Sequence, residues 1–323
     1  MRFAFWVGMA ALACTQVQAS YELMYVLDGA GTTKGIHRFD PISGAYLGQF
    51  GQTLLNNPRS IAVGPQGHVY VLDVAYAGVS FGTRVRVFDG STGEITGSFA
   101  LDSAISLNSK IAVSSSGEVM VSSGSFYGAG YALHFSAIGA ILGYAAAPHG
   151  FSAGGVGYFG SAVAFASMDS TTTFMNFSTF AMDVQSATEE FSFGTGVSTT
   201  NISVNGSAGV IASNNLYSRF VRYGDHLSQQ STGAVPVLSS VFGIGLGHAN
   251  IAHAIGFSSS APTDFRISTF DSTSGDSLGY RSYGTLVKNP LDAAIVVAPE
   301  PASIAAMAVG ISMLVRKRRH SAS

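Results

Sequence analysis

A short apolar run of strand-forming residues returns six times along the chain, and this recurrence constrains the fold more than any other feature. It reads MYVLD (24–28), VYVLD (69–73), VMVSS (119–123), VAFAS (163–167), GVIAS (209–213) and IAHAI (251–255). Successive starts lie 45, 50, 44, 46 and 42 residues apart. That is the period of a unit with four strands. Most of these runs are followed by a second pattern, as in IHRFDPISGAYLGQF, RVRVFDGSTGEITGSF, ALHFSAIGAILGYAA, RFVRYGDHLSQQSTG and RISTFDSTSGDSLGY. An aromatic residue, a short Asp/Ser/Gly turn and another β run mark two paired strands. A further apolar strand and a Gly-bearing turn precede the core run, as in SIAVGPQGHVYVLD and KIAVSSSGEVMVSS. Four strands per repeat describe a blade of a β-propeller. The fourth repeat, 151–196, is degenerate in its hairpin.

The first repeat lacks its leading strand, because a chain beginning at Ser20 starts almost at MYVLD. At the other end KNPLDAAIVV (288–297) parallels NNPRSIAV (56–63), yet no core strand follows it. Residues 291–297 are therefore expected to complete the first blade and close an all-β, six-bladed propeller of four-stranded blades over 20–297. The stretch NPRSIAVGPQGHVYVLD…TRVRVFDGSTGEITGSF resembles the NHL and related six-bladed propeller repeats. The resemblance implies a fold and carries no activity with it.

Two flanking segments lie outside this pattern. MRFAFWVGMAALACTQVQAS combines Arg2, an apolar run to Cys14 and small residues at Val17 and Ala19. These are the three regions of a secretory signal peptide, 1–19, with cleavage between Ala19 and Ser20. A buried N-terminal helix is the alternative. Leu12-Ala13-Cys14 also partly resembles a lipoprotein cleavage box, although Ala11 stands where that box prefers Leu. Cys14 is the single cysteine, so no disulfide can form within the chain and stability has to come from packing.

At the other end Pro299-Glu300-Pro301 leads into the apolar stretch 302–315 and the basic cluster Arg316-Lys317-Arg318-Arg319, before a short tail, 320–323. Fourteen residues make a helix of about 21 Å against a hydrocarbon core of about 30 Å. As a permanent transmembrane helix this is short, and as a transient inner-membrane retention device it suffices. The order, spacing and position of these residues resemble the PEP-CTERM sorting signal of Gram-negative bacteria, here 298–319. The resemblance implies recognition by an exosortase, cleavage near the triplet and delivery to the cell surface or exopolysaccharide matrix. The extension His320-Ser321-Ala322-Ser323 departs from chains that stop at the basic cluster.

Charged residues are only 11% of the chain, against roughly 25% in ordinary soluble domains. Loss of Arg2, Glu300 and the four tail bases would leave 11 basic and 17 acidic residues, a body near −6. An acidic body with scattered bases argues against nucleic acid as a partner. The partners expected are signal peptidase and exosortase during export, then exopolysaccharide or surface proteins.

Some six-bladed propellers hold a metal at the ring axis through acidic, Asn or His residues. Asp28 and Asp73, which end two core strands, are the metal candidates here, with His248 and His253 beside them. Ser123, Ser167 and Ser213 replace the Asp in other repeats, and an Asp bonded to its own turn backbone is the commoner reason for such a pair. His253 lies in an apolar strand and suits a hydrogen-bonded core position. His37, His68, His134, His149 and His226 share no register. The FD-x-x-[ST]-G turns invite calcium, but lone Asp residues in hairpin turns are usually structural. The letters G-x-S-x-G occur at 78–82, 150–154 and 275–279, but in an all-β pattern none opens a helix as a nucleophile elbow must, and the chain has no H-E-x-x-H or P-loop motif. No catalytic residue or cofactor is therefore assigned. Two readings stay open, a non-catalytic surface or matrix module and a propeller hydrolase or lyase acting on a sugar or lactone.

Overall fold

The structure, a computed structural model, describes residues 20–74, 82–101, 109–123, 131–146, 152–159, 162–168, 174–181, 188–194, 199–205, 208–213, 219–223 and 229–299. Leu23–Val296 form one compact unit, and Met1–Glu22 with Val297–Ser323 form another. The signal peptide expected at 1–19 and the tail from Glu300 onward lie outside the described residues. Among the described residues no helix is long and apolar enough to cross a membrane.

The fold is all-β, with a few single 3-10 turns. Its strands form four-stranded antiparallel sheets, six of them among the described residues. The first sheet has the order β24 (Pro290–Pro299), β1 (Ser20–Asp28), β2 (Gly35–Phe39) and β3 (Tyr46–Phe50). The second runs β4 (Pro58–Val63), β5 (His68–Asp73), β6 (Arg84–Asp89) and β7 (Ile95–Ala100). The third is β8 (Ile111–Val113), β9 (Val119–Ser123), β10 (Tyr131–Phe135) and β11 (Ile141–Ala146). The fourth is β12 (Ser152–Phe159), β13 (Ala162–Met168), β14 (Phe174–Ala181) and β15 (Thr188–Gly194). The fifth is β16 (Thr199–Asn205), β17 (Ala208–Ser213), β18 (Arg219–Tyr223) and β19 (Gln229–Ala234). The sixth is β20 (Ser240–Leu246), β21 (Ile251–Ser258), β22 (Ala261–Asp271) and β23 (Ser277–Ser282).

Position within a sheet decides composition. In the first two sheets the second strands are continuous apolar runs because both of their faces are covered. Met24, Val26, Leu27, Val69, Val71 and Leu72 have no exposed surface. The fourth strands are open on the outside, so Tyr46, Ile95, Leu142 and Tyr280 stand partly in solvent. Every hairpin of third and fourth strands carries a β-bulge. Five bulges fall just before the aromatic residue that opens the turn, at Phe39, Phe88, Phe135, Tyr223 and Phe270. A bulge twists an edge strand and so blunts it against pairing with another chain. The fourth repeat, whose hairpin is faint in the sequence, has the same pairing, with its bulge between Phe177 and Ser178.

The core lies between sheets. Phe50 and Phe88 join the first and second at 5.6 Å, and Phe39 and Phe265 join the first and sixth at 5.9 Å. Phe220 and Phe270 join the fifth and sixth at 4.7 Å. The aromatic side chain at the end of one sheet also packs on the turn glycine of the next. A Cβ on Gly93 would stand 2.7 Å from Phe50, and one on Gly139 would stand 2.6 Å from Phe99. Both glycines have positive φ, 78° and 89°, so conformation and space demand Gly together.

Two boundaries differ from the sequence expectation. β24 runs to Pro299, so the last strand takes in the first proline of the triplet. In the sixth repeat Gly247 N–H donates to Ile251 O, as Gly64 N–H does to His68 O in the second. The residues equivalent to Val69–Asp73 are therefore 252–256, one position later than the apolar run IAHAI suggests. Alanine-rich strands give no side-chain size pattern from which that register could be read.

Deletion of 288–297 is expected to abolish cooperative thermal unfolding of the body, as followed by circular dichroism. A truncated chain that melts like the intact one would contradict the placement of β24.

Candidate functional site

One strand from each sheet borders a common cavity of about 120 Å³. Its lining includes Ile61 of β4, Ile111 of β8, Val156 of β12, Ile202 of β16, Ile244 of β20 and Ala293 of β24. These are the first strands of the six sheets, and their equivalent positions are aliphatic. The polar side chains in the lining are Ser203 and Tyr158. Ser203 Oγ accepts from Leu246 N–H at 2.9 Å, and burial pushes the Tyr158 phenol far above its ordinary pKa. The volume is below the roughly 300–1,000 Å³ of small-molecule sites. Among the described residues no carboxylate lines it.

The metal candidates are engaged elsewhere. Asp73 is 3% exposed and accepts from the N–H groups of Asn56 and Asn57, the latter at 2.6 Å, and from Arg86 Nε at 3.0 Å. Asp28 is fully buried and accepts from Lys288 N–H at 2.9 Å, Asn289 N–H at 3.2 Å and Ala30 N–H at 2.8 Å. Each carboxylate thus receives the two backbone donors that lead into the first strand of its sheet. Parallel main-chain bonds accompany them, Val74 N–H to Asn57 O and Gly29 N–H to Asn289 O, both 3.1 Å. The sequence pointed to a turn-bound Asp, and Ala30 fits that. The chief partners, however, lie far along the chain, and nothing local announces them. Among the described residues no group of three or more His, Cys, Asp or Glu could hold a metal ion.

His37 sits beside Asp28 and is 1% exposed. Its Nε2 lies 3.0 Å from Thr33 O, which can only accept, so the proton is on Nε2. Nδ1 is then left to accept from the Tyr46 hydroxyl at 3.3 Å. Burial holds the imidazole below its ordinary pKa, against smaller opposing effects of Thr33 O and Asp28. His253 is likewise buried, with Nδ1 3.0 Å from Thr269 Oγ1. His248 is on an exposed 3-10 turn, and His149 and His226 lie outside the described residues. The turn carboxylates of Asp40, Asp89 and Asp271 accept from the N–H groups two and three residues onward. Those bonds, with the Ser91 hydroxyl foremost, lower the Asp89 pKa to about 2.

A buried charged cluster escaped the sequence reading. Asp292, on β24, has no exposed surface and its Oδ2 accepts from the Ser60 hydroxyl, from Ile61 N–H at 3.2 Å and from Lys110 Nζ at 3.3 Å. Oδ1 takes Ala293 N–H at 2.8 Å, and Lys110 also donates to Leu291 O at 3.1 Å. Ser60 Oγ accepts in turn from Ile111 N–H at 3.1 Å. Burial pushes the Asp292 carboxyl above the ordinary range, and Lys110 with the surrounding donors opposes that. The cluster joins the first three sheets. Its one sequence signal is a polar residue directly before the aliphatic run in each of KIAV, SIAV and DAAI.

Arginines make further bridges between sheets. Arg38 of β2 donates to Ser91 O at 2.5 Å, and Arg222 of β18 donates to Ser272 Oγ at 2.8 Å and Asn250 Oδ1 at 2.7 Å. Each reaches the hairpin turn of the following sheet.

No family model matches the chain, and no curated protein matches it. Among solved structures it is similar to a chain in the crystal structure of a nidogen/laminin complex, with a TM-score of 0.63 and 9% identity over 85% of this chain and 97% of that one. It is also similar to a protein of unknown function from Bacteroides caccae, with a TM-score of 0.59 and 8% identity over 86% and 99% of the two chains. At these identities the likeness is one of fold, and both support the β-rich architecture.

Two outcomes are expected. Asp73→Ala strands buried backbone donors and Arg86, and should cost about 3 kcal/mol in chemical denaturation, given about 1.5–3 kcal/mol for a bond to a charged group. For His37, the unfolded chain takes up a proton before the folded one, so its share of stability is present above the ordinary pKa of 6.5 and lost as the pH falls toward the lowered value. His37→Gln should flatten the melting temperature between pH 7 and 5 relative to wild type.

Proposed function

We propose that the body is a six-bladed β-propeller closed by its C-terminal strand, and that it serves as a non-catalytic binding or structural module at the bacterial surface or in the exopolysaccharide matrix. The observation that carries the propeller reading is the cavity bordered by the first strand of every sheet. Contacts between the sixth and first sheets, and the pairing of β24 beside β1, support closure of the ring. The aliphatic lining and the backbone-bound Asp28 and Asp73 favour a binding module over a metal-dependent hydrolase or lyase. Export rests on the N-terminal segment with its cleavage between Ala19 and Ser20. Sorting by an exosortase rests on Pro299-Glu300-Pro301 and Arg316-Lys317-Arg318-Arg319.

The test is expression of the full chain, and of a variant with Arg316–Arg319 replaced by Ser, in a Gram-negative host that has an exosortase. The wild type should be found processed in the surface or matrix fraction, and the variant should not. Identical processing and location of the two would sink the sorting reading. Turnover of a sugar lactone that needs a divalent metal and is lost in Asp73→Asn would sink the non-catalytic one.

A further inference from the structure

We infer that the Asp292–Ser60–Lys110 cluster is a register lock on β24, which seats the strand in its own chain and keeps it from being exchanged with a second copy. The inference rests on the closed-ring reading above. Aliphatic packing alone specifies the position of β24 poorly. Side chains alternate with a period of two, so a slip of two residues keeps every aliphatic group on its own side of the strand. The first strands SIAV, KIAV and DAAIVV are also alike enough to substitute for one another.

The polar group at the head of the strand breaks this degeneracy. In the seated position, Asp292 meets donors from two other sheets, Ser60 Oγ, Ile61 N–H and Lys110 Nζ. A slip in one direction would carry it to the place of Ala294, which packs among aliphatic side chains such as Ile61, Val69 and Val71. There the carboxylate would give up its Ser60, Ile61 and Lys110 donors at a half-buried position packed against an aliphatic cluster. A charge stripped of its partners beside apolar side chains costs more than a lost contact. The other flank adds a steric constraint. Gly243 and Gly245 of β20 lie so close to β24 that a Cβ on either would stand 2.5 Å from Ala293 N or 2.4 Å from Ile295 Cγ1.

Buried ionic groups that fix register at some expense of stability are known in other folds, and apolar replacements can be equally or more stable. The lock is therefore tested with Ser60→Ala, Lys110→Met and Asp292→Leu combined in the full-length chain. The variant should melt no lower than wild type, yet show at least a tenfold larger dimer fraction at equal concentration by light scattering. An excess of a peptide spanning 288–299 should disperse that dimer. A variant that stays monomeric, with one set of amide resonances, overturns the lock. If the triple variant does not fold, Lys110→Met alone keeps the Ser60 and backbone bonds to Asp292. It should raise the dimer fraction several-fold, and an unchanged fraction overturns the lock. Failure here, with the 288–297 deletion still unfolding the body, leaves ring closure standing. A deletion variant that folds removes both.

Discussion

Two buried carboxylates hold the start of a sheet's first strand in the same way, at very different distances along the chain. Asp73 grips the backbone of Asn56 and Asn57, 17 and 16 residues before it. Asp28 grips Lys288 and Asn289, 260 and 261 residues beyond it. Backbone N–H groups approaching the interior need partners, and an ionised carboxylate is the strongest acceptor a side chain supplies. The geometry of the second sheet is thereby reproduced in the first with a strand from the opposite end of the chain.

Few residues of the chain are charged, and those that are make specific bonds. Arg86 and Arg266 pair with Asp73 and Asp264 inside their own sheets, and other cations work between sheets. Arg38 and Arg222 each bind the hairpin turn of the next sheet, and Lys110 joins the third sheet to Asp292 of the first. The turn glycines do the complementary work, because Gly93 and Gly139 let an aromatic side chain of the preceding sheet close on the backbone. Adhesion between neighbouring sheets thus combines aromatic area with a few charge-assisted bonds.

The period, the four-strand unit and the displaced first strand were all legible in the sequence, since each is a matter of local pattern. NNPRSIAV and KNPLDAAIVV are alike because they do the same job in two sheets. What lay beyond reach was long-range or backbone in origin. The bulge in the fourth repeat leaves no residue signature, and the alanine-rich sixth repeat hides its register. The Asp28–Lys288 bond joins residues whose relation only folding creates. Asp292 was visible as a charge interrupting an aliphatic strand, but its meaning depends on Ser60 and Lys110, which stand at the same position in two other repeats.

The most direct measurement is native-state hydrogen exchange on the strand pairs β24–β1 and β4–β5. The two pairs are equivalent in their anchoring, so the amides joining β24 to β1 should be protected as strongly as those joining β4 to β5. Exchange of the β24 amides at rates typical of a frayed terminus, with β4–β5 still protected, would contradict it.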